Sequence, residues 1–195
     1  MILSDREIQA AVERGAIRIN PLPGLENWSS TALDLTLDER IQVWKPMGGA
    51  GATTVVDPSS PDFNVTELAN HYTEATSCAG GFELKPSMFI LAWTEQKIQF
   101  PHTSRLAARV EGKSSLARLG MGVHVTAPTI HAGFGYKAAD PSFLGNPIQL
   151  EIWNAGPLTI RLTKGLKICQ LILEEVHGTP NQGYAGRFSL QGPTV

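Results

Sequence analysis

Cysteine is scarce in this chain, with two residues in 195, Cys78 and Cys169. That is too few for a disulfide scaffold, and Cys169, inside Leu166 to Leu173, reads as a small buried residue. No His or Cys pair has metal-ligand spacing, so no catalytic metal is expected, and the His-x-Glu plus Pro-Cys-x-x-Cys pattern of zinc-dependent nucleobase deaminases is missing. An excess of one charge is missing too: 16 Lys and Arg face 18 Asp and Glu, for a net charge of −2. A broad polyanion-binding face is thereby excluded, no nucleic-acid partner is expected, and any phosphate site has to be local. No apolar run approaches membrane-spanning length, and Met1 to Asp5 carry no basic leader region, so the expectation is a cytoplasmic protein with no membrane partner. There is no Walker loop, because no second glycine stands at the required distance before Lys113, and no Gly-x-Ser-x-Gly elbow surrounds a serine.

What is present is β patterning. Leu33, Leu35 and Leu37 alternate with Asp34, Thr36 and Asp38, and Ile41 to Trp44 repeat the period of two. Apolar runs at 82–85, 88–98, 105–111, 121–128, 148–154, 158–162 and 166–176 are separated by Gly and Pro, which punctuate turns. In 148–154 the residues Ile148, Leu150 and Ile152 share one face, and Gln149, Glu151 and Trp153 the other. Ser4 to Glu7 has the form of a capping box, and Ile8, Ala11 and Val12 follow at helical spacing before Gly15. Residues 46–81 read as a long surface excursion with at most one edge strand near Thr53 to Val56. The expectation is an all-β sandwich or barrel forming one domain over 1–195, with an N-terminal helical segment (1–21), a short motif helix and a flexible C-terminal lid (178–195).

The stretch Gly112-Lys113-Ser114-Ser115-Leu116-Ala117-Arg118-Leu119-Gly120 combines two hydroxyls, two cations and a glycine stop. A serine here can cap the first turn, and a turn rich in free amides, hydroxyls and positive charge can hold phosphate. Plain capping fits the same spacing, so the stretch alone leaves both readings open. Glu151 is equally double-edged. Flanked by Leu150, Ile152 and Trp153, it would serve as a general base if desolvated, or would simply face water on a half-exposed strand. His124 could orient a ligand or be a hydrogen-bonded core residue, while His71, His102 and His177 read as loop residues and His131 as a strand-to-loop turn.

Taken together, Gly112 to Gly120, Val123 to Ala127, Gly133-Phe134, Leu150-Glu151, Asn154, Gly165, Ile168 to Leu171 and Tyr184 to Gln191 resemble the dCTP deaminases of the trimeric dUTPase superfamily. Met1 to Pro21 and Ala32 to Leu35 match that family as well. The resemblance implies a distorted jelly-roll (β-clip) subunit in a homotrimer, with sites at subunit junctions. It implies loss of the 4-amino group of dCTP as ammonia to give dUTP, without a catalytic metal and with magnesium only on the triphosphate. By matching position, Glu151 would be the base, Ser114 would hold the water, Arg118 and His124 would support the geometry, and Ala127 would contact the nucleobase. Lys113, Ser115 and His131 would face phosphates or sugar, and Tyr184, Arg187 and Gln191 would close over the nucleotide. Three departures stand out. His131 replaces a frequent Asp that in the dUTPase branch lies by the sugar and the hydrolytic water, Lys113 replaces a frequent Arg, and the loop from Tyr136 to Pro147 is longer than usual. The alternatives are a dUTP pyrophosphatase, a bifunctional deaminase-pyrophosphatase, or a nucleotide-binding relative without catalysis.

Overall fold

The computed structural model describes residues 1–46, 54–123 and 127–184. Helix α1 (Asp5–Glu13) begins as the sequence predicts: Ser4 N–H donates to the Glu7 carboxylate at 2.8 Å and the Ser4 hydroxyl accepts from Glu7 N–H at 3.4 Å. Ile8 and Ala11 form its buried stripe, and Gly15 takes a positive φ of 70° just beyond its end. The segment before it is stitched to the body by Leu3 N–H donating to Leu173 O at 3.0 Å.

The strands are β1 (Arg18–Asn20), β2 (Leu33–Trp44), β3 (Thr73–Ser77), β4 (Phe82–Leu84), β5 (Phe89–Gln99), β6 (Leu106–Gly112), β7 (Met121–Val123), β8 (Thr129–Ile130), β9 (Asn146–Asn154), β10 (Ile160–Leu162) and β11 (Lys167–Glu175). They build an antiparallel sheet ordered β7-β9-β5-β2-β11-β6-β8, with β1 added to β5, β3 added to β2, and a separate β10-β4 pair. Strand β2 joins two regions because its register shifts between Leu37 and Ile41. Its first half pairs with β11 and its second half with β3 and β5. The sheet curls until its flanks meet, and Gly112 of β6 lies so near Val123 of β7 that an added methyl would stand 3.9 Å from that backbone. The curled inner face holds one apolar cluster, including Leu33, Leu35, Ile90, Ile148, Leu150, Ile152 and Leu171. This is the all-β architecture expected from the alternation, in the jelly-roll-like form that the resemblance implies.

Several local expectations change. Residues 46–81 contain a second full helix, α2 (Val65–Tyr72), which the sequence reading passed over, and His71 lies in it rather than in a loop. Its start was legible in Asn64, whose side chain accepts from Thr66 and Glu67 N–H at 3.1 and 3.3 Å. The edge strand of this region is β3, not 53–56; residues 54–56 are irregular, and Thr53 lies outside the described residues. Arg18 to Asn20 pair with β5 instead of only turning the chain. The strand expected at 121–128 is described to Val123, and His124 to Thr126 lie outside the described residues.

Candidate active site

Between β6 and β7 the motif stretch folds as α3 (Ser114–Ala117), a single turn. Its cap is Lys113, not a serine, and no side chain makes a capping bond. Lys113 O accepts from Leu116 and Ala117 N–H at 3.0 and 2.9 Å, which leaves the Ser114 and Ser115 amides ahead of the helical ladder. Ser114, Ser115 and Arg118 are exposed and make no side-chain hydrogen bond or ion pair to any described residue. Lys113 differs. Its ammonium donates to Asp34 Oδ1 on β2 at 2.6 Å.

The motif ends where the sequence predicts, at Gly120, with φ of 88°. A side chain is excluded there by more than backbone conformation, because the Gly156 backbone occupies the space an added methyl would need. Ala155 N–H donates to Gly120 O at 2.8 Å, and β7 pairs with β9 through Met121↔Asn154, Gly122↔Trp153 and Val123↔Ile152. The Trp153 indole covers Gly122 closely enough to bar any side chain at that position. Asn154 fixes the turn behind: its amide nitrogen donates to Leu84 O and Leu158 O at 2.9 and 2.7 Å, and its oxygen accepts from Gly156 N–H at 2.9 Å. The motif turn is therefore locked to the end of the strand that carries Glu151. Glu151 is half-buried, paired in register with Leu91 of β5, on the face shared with Gln149 and Trp153.

His131 and Tyr184 form a second group. The His131 and Tyr184 rings stack, with centroids 5.1 Å apart and planes 19° from parallel. Tyr184 N–H donates to Ala132 O at 3.0 Å. Gly133, with φ of 94°, has the Gly183–Tyr184 backbone packed where a Cβ would go, 2.6 Å from Tyr184 N. His131, Ala132, Gly183 and Tyr184, with Ala107, Val176, Pro180 and Gln182, line a cavity of about 410 Å³. Because Ala108 pairs with Ile130, His131 falls level with Ala107. That is roughly 17 Å along β6 from Gly112, at about 3.4 Å per residue. Ala127 is exposed and lies toward the motif end, next to Pro128, whose carbonyl accepts from Val110 N–H at 2.8 Å. His124, Arg187 and Gln191 lie outside the described residues.

The long loop before β9 is tied down at both ends. Gly135 and Gly145 pack against the Ile98 carbonyl, and Gln99 donates to Phe143 O at 2.6 Å. Among the described residues no three His, Cys, Asp or Glu side chains cluster as metal ligands, and no helix is long and apolar enough to cross a membrane. Sequence reasoning gave no role to Asp34, which alternates with the leucines of its strand just as Thr36 and Asp38 do.

A family model described as dCTP deaminase-like matches residues 2–176. A dCTP deaminase of Rhodospirillum rubrum is 33% identical over 189 residues, covering 95% of this chain and 88% of that protein. A dUMP-forming dCTP deaminase of Methanobrevibacter smithii is 34% identical over 174 residues, covering 89% and 79%. Another dUMP-forming dCTP deaminase, from Streptomyces coelicolor, is 33% identical over 201 residues, covering 100% and 94%. The solved 2′-deoxycytidine 5′-triphosphate deaminase of Agrobacterium tumefaciens superposes with a TM-score of 0.62 at 18% identity over 90% of this chain, a likeness of fold. This chain spans about half of that solved chain, 48%.

Proposed function

The chain belongs to the dCTP deaminase-like family, and from that membership we propose that it removes the 4-amino group of dCTP by hydrolysis, releasing ammonia and leaving dUTP. In this reading the Glu151 carboxylate takes a proton from water, and the water oxygen adds to C4 of the cytosine while N3 is protonated. The C4–amine bond then breaks as a further proton reaches the departing ammonia, so one water is consumed for each ammonia released. Ser114 holds that water, Arg118 and His124 support the geometry, and Ala127 offers backbone contacts to the base. Ser115 and the amides opening α3, the turn that Lys113 caps, meet the triphosphate, and Tyr184, Arg187 and Gln191 close over it. No catalytic metal takes part, and magnesium travels with the triphosphate.

One observation carries the reading. The matched span includes both Glu151 and the Gly112–Gly120 turn, and the last residue of that turn is hydrogen-bonded to the loop that leaves Glu151's strand. A homotrimer with sites at subunit junctions, in the cytoplasm, completes the proposal. What supports the shared site is the separation of His131 and Tyr184 from the motif along β6 within one chain.

A second reading, deamination with loss of pyrophosphate to give dUMP, is favoured by the names of the M. smithii and S. coelicolor relatives. Against it stands His131, an imidazole stacked on Tyr184 at the position where the resemblance expects a carboxylate. Incubation with dCTP, CTP, dCMP and dUTP, followed by separation of products, tests both. Ammonia and dUTP from dCTP alone are expected; pyrophosphate release moves the assignment to the second reading, and no uracil product from any substrate rejects both.

A further inference from the structure

Asp34 sits on β2 with its side chain 13% exposed, and three groups converge on it. Lys113 Nζ donates to Oδ1 at 2.6 Å, Gln170 Nε2 donates to the same oxygen at 3.1 Å, and Lys167 Nζ stands 3.8 Å from Oδ2. The registers explain the convergence. Gln170 of β11 pairs with Asp34 on one side and with Glu111 of β6 on the other, and Lys113 follows Glu111 by one full pleat on the same side of the strand. The Lys113 side chain is itself 21% exposed, so its ammonium is largely withdrawn from water against a single carboxylate. Removing Asp34 is the costly way to break the pair, because the Lys113 ammonium is then left half-buried without its carboxylate. Lys113 is also the residue whose carbonyl accepts the first two bonds of α3. Fixing its side chain therefore fixes where the Ser114 and Ser115 amides and hydroxyls point.

We propose that Asp34 is a positioning residue for the motif turn: the Asp34–Lys113 tether, braced by Gln170, sets the placement of Ser114 and Ser115, and Lys113 acts as a strut, not as a phosphate ligand. The inference rests on the deaminase reading for its kinetic consequences, though not for its binding ones. The phosphates then fall to Ser115 and the amides that open α3, and the Ser115 hydroxyl makes no competing bond among the described residues.

The two roles of Lys113 separate kinetically. Loss of a phosphate ligand weakens ground-state and transition-state binding alike and raises KM, whereas a displaced water-holding serine lowers kcat. The experiment measures kcat and KM for dCTP in Asp34→Asn, Lys113→Met, the double variant, and the reversed pair Asp34→Lys with Lys113→Asp. Binding of inorganic tripolyphosphate is measured by calorimetry in each. The expected result is a kcat about tenfold lower in either single variant with a smaller change in KM, a double variant no worse than a single one, and partial recovery in the reversed pair. Tripolyphosphate binding in Asp34→Asn is expected to be equal to or weaker than in the unaltered protein. Tighter tripolyphosphate binding in Asp34→Asn would make Lys113 a phosphate ligand that Asp34 merely occupies, and would overturn the proposal. Strictly additive losses in the double variant would overturn it too, even if the reversed pair fails to fold. Absence of dCTP turnover in the unaltered protein would instead indict the deaminase reading, leaving the calorimetric arm to decide the tether.

Discussion

At the scale of single residues, Glu151 carries the largest consequence. Its strand neighbours Leu150 and Ile152 are fully buried while it is half-buried on the opposite face. Glu151→Gln keeps shape and size and therefore leaves the packing intact. We expect ammonia release from dCTP to fall by about 10³-fold or more in that variant, at the scale of a lost general base combined with lost positioning, with the melting temperature within a few degrees of the original. Turnover within tenfold of the original would remove Glu151 from the proposed mechanism. Cys169 offers a test unconnected with catalysis. Fully buried, it is pushed well above its ordinary thiol value of 9.0, chiefly by loss of solvation and secondarily by the nearby Asp34 carboxylate. A thiol that ionises far more readily in the unfolded chain than in the folded one favours folding fully below 9.0, and this contribution is lost as pH rises beyond it. Denaturant titrations from pH 8 to 10.5 should therefore show falling stability, with a shallower fall in Cys169→Val; equal slopes would contradict the burial argument.

The elements meet through glycines, where backbone touches backbone. Gly120 joins α3 to the loop after β9, and its φ of 88° adds a conformational reason to the steric one. Gly120→Val is expected to lower stability by about 2–4 kcal/mol through strain and displaced backbone, and to reduce dCTP turnover together with it, since the same contact aligns the motif with β9. A variant that melts early yet keeps full kcat per folded molecule would separate those two roles. Gly133 makes the analogous junction between the turn after β8 and the chain at Gly183–Tyr184. In Gly133→Val the Tyr184 amide should lose its bond to Ala132 O. Chymotryptic cleavage after Tyr184 should then accelerate several-fold while the body of the protein stays resistant, at the local end of the stability spectrum.

For the molecule as a whole, the curled sheet sets the motif turn and the His131–Tyr184 stack at opposite ends of β6. Within one chain the proposed nucleotide contacts are thus divided between two surfaces, and a second copy would bring them together. Sedimentation equilibrium should report three times the chain mass of 21.0 kDa, with turnover per chain falling on dilution below the assembly range. A fully active monomer would confine the whole site to one subunit and refute the shared-site proposal.

The sequence by itself determined the strand pattern, α1 with its capping box, the glycine stop at Gly120, and the two faces of β9, because each depends on periodicity or on residues within a few positions of one another. It did not disclose α2, whose Asn64 cap lay inside a stretch dominated by turn-forming residues. It also misplaced the cap of α3, which a serine hydroxyl could have provided but Lys113 occupies. Only the tertiary structure decided that Asp34 is the partner of Lys113, that Gly156 stands against Gly120, and that Tyr184 stacks on His131. Those contacts join residues far apart in the chain, and strand register and sheet curl, which no local pattern encodes, are what bring them within reach.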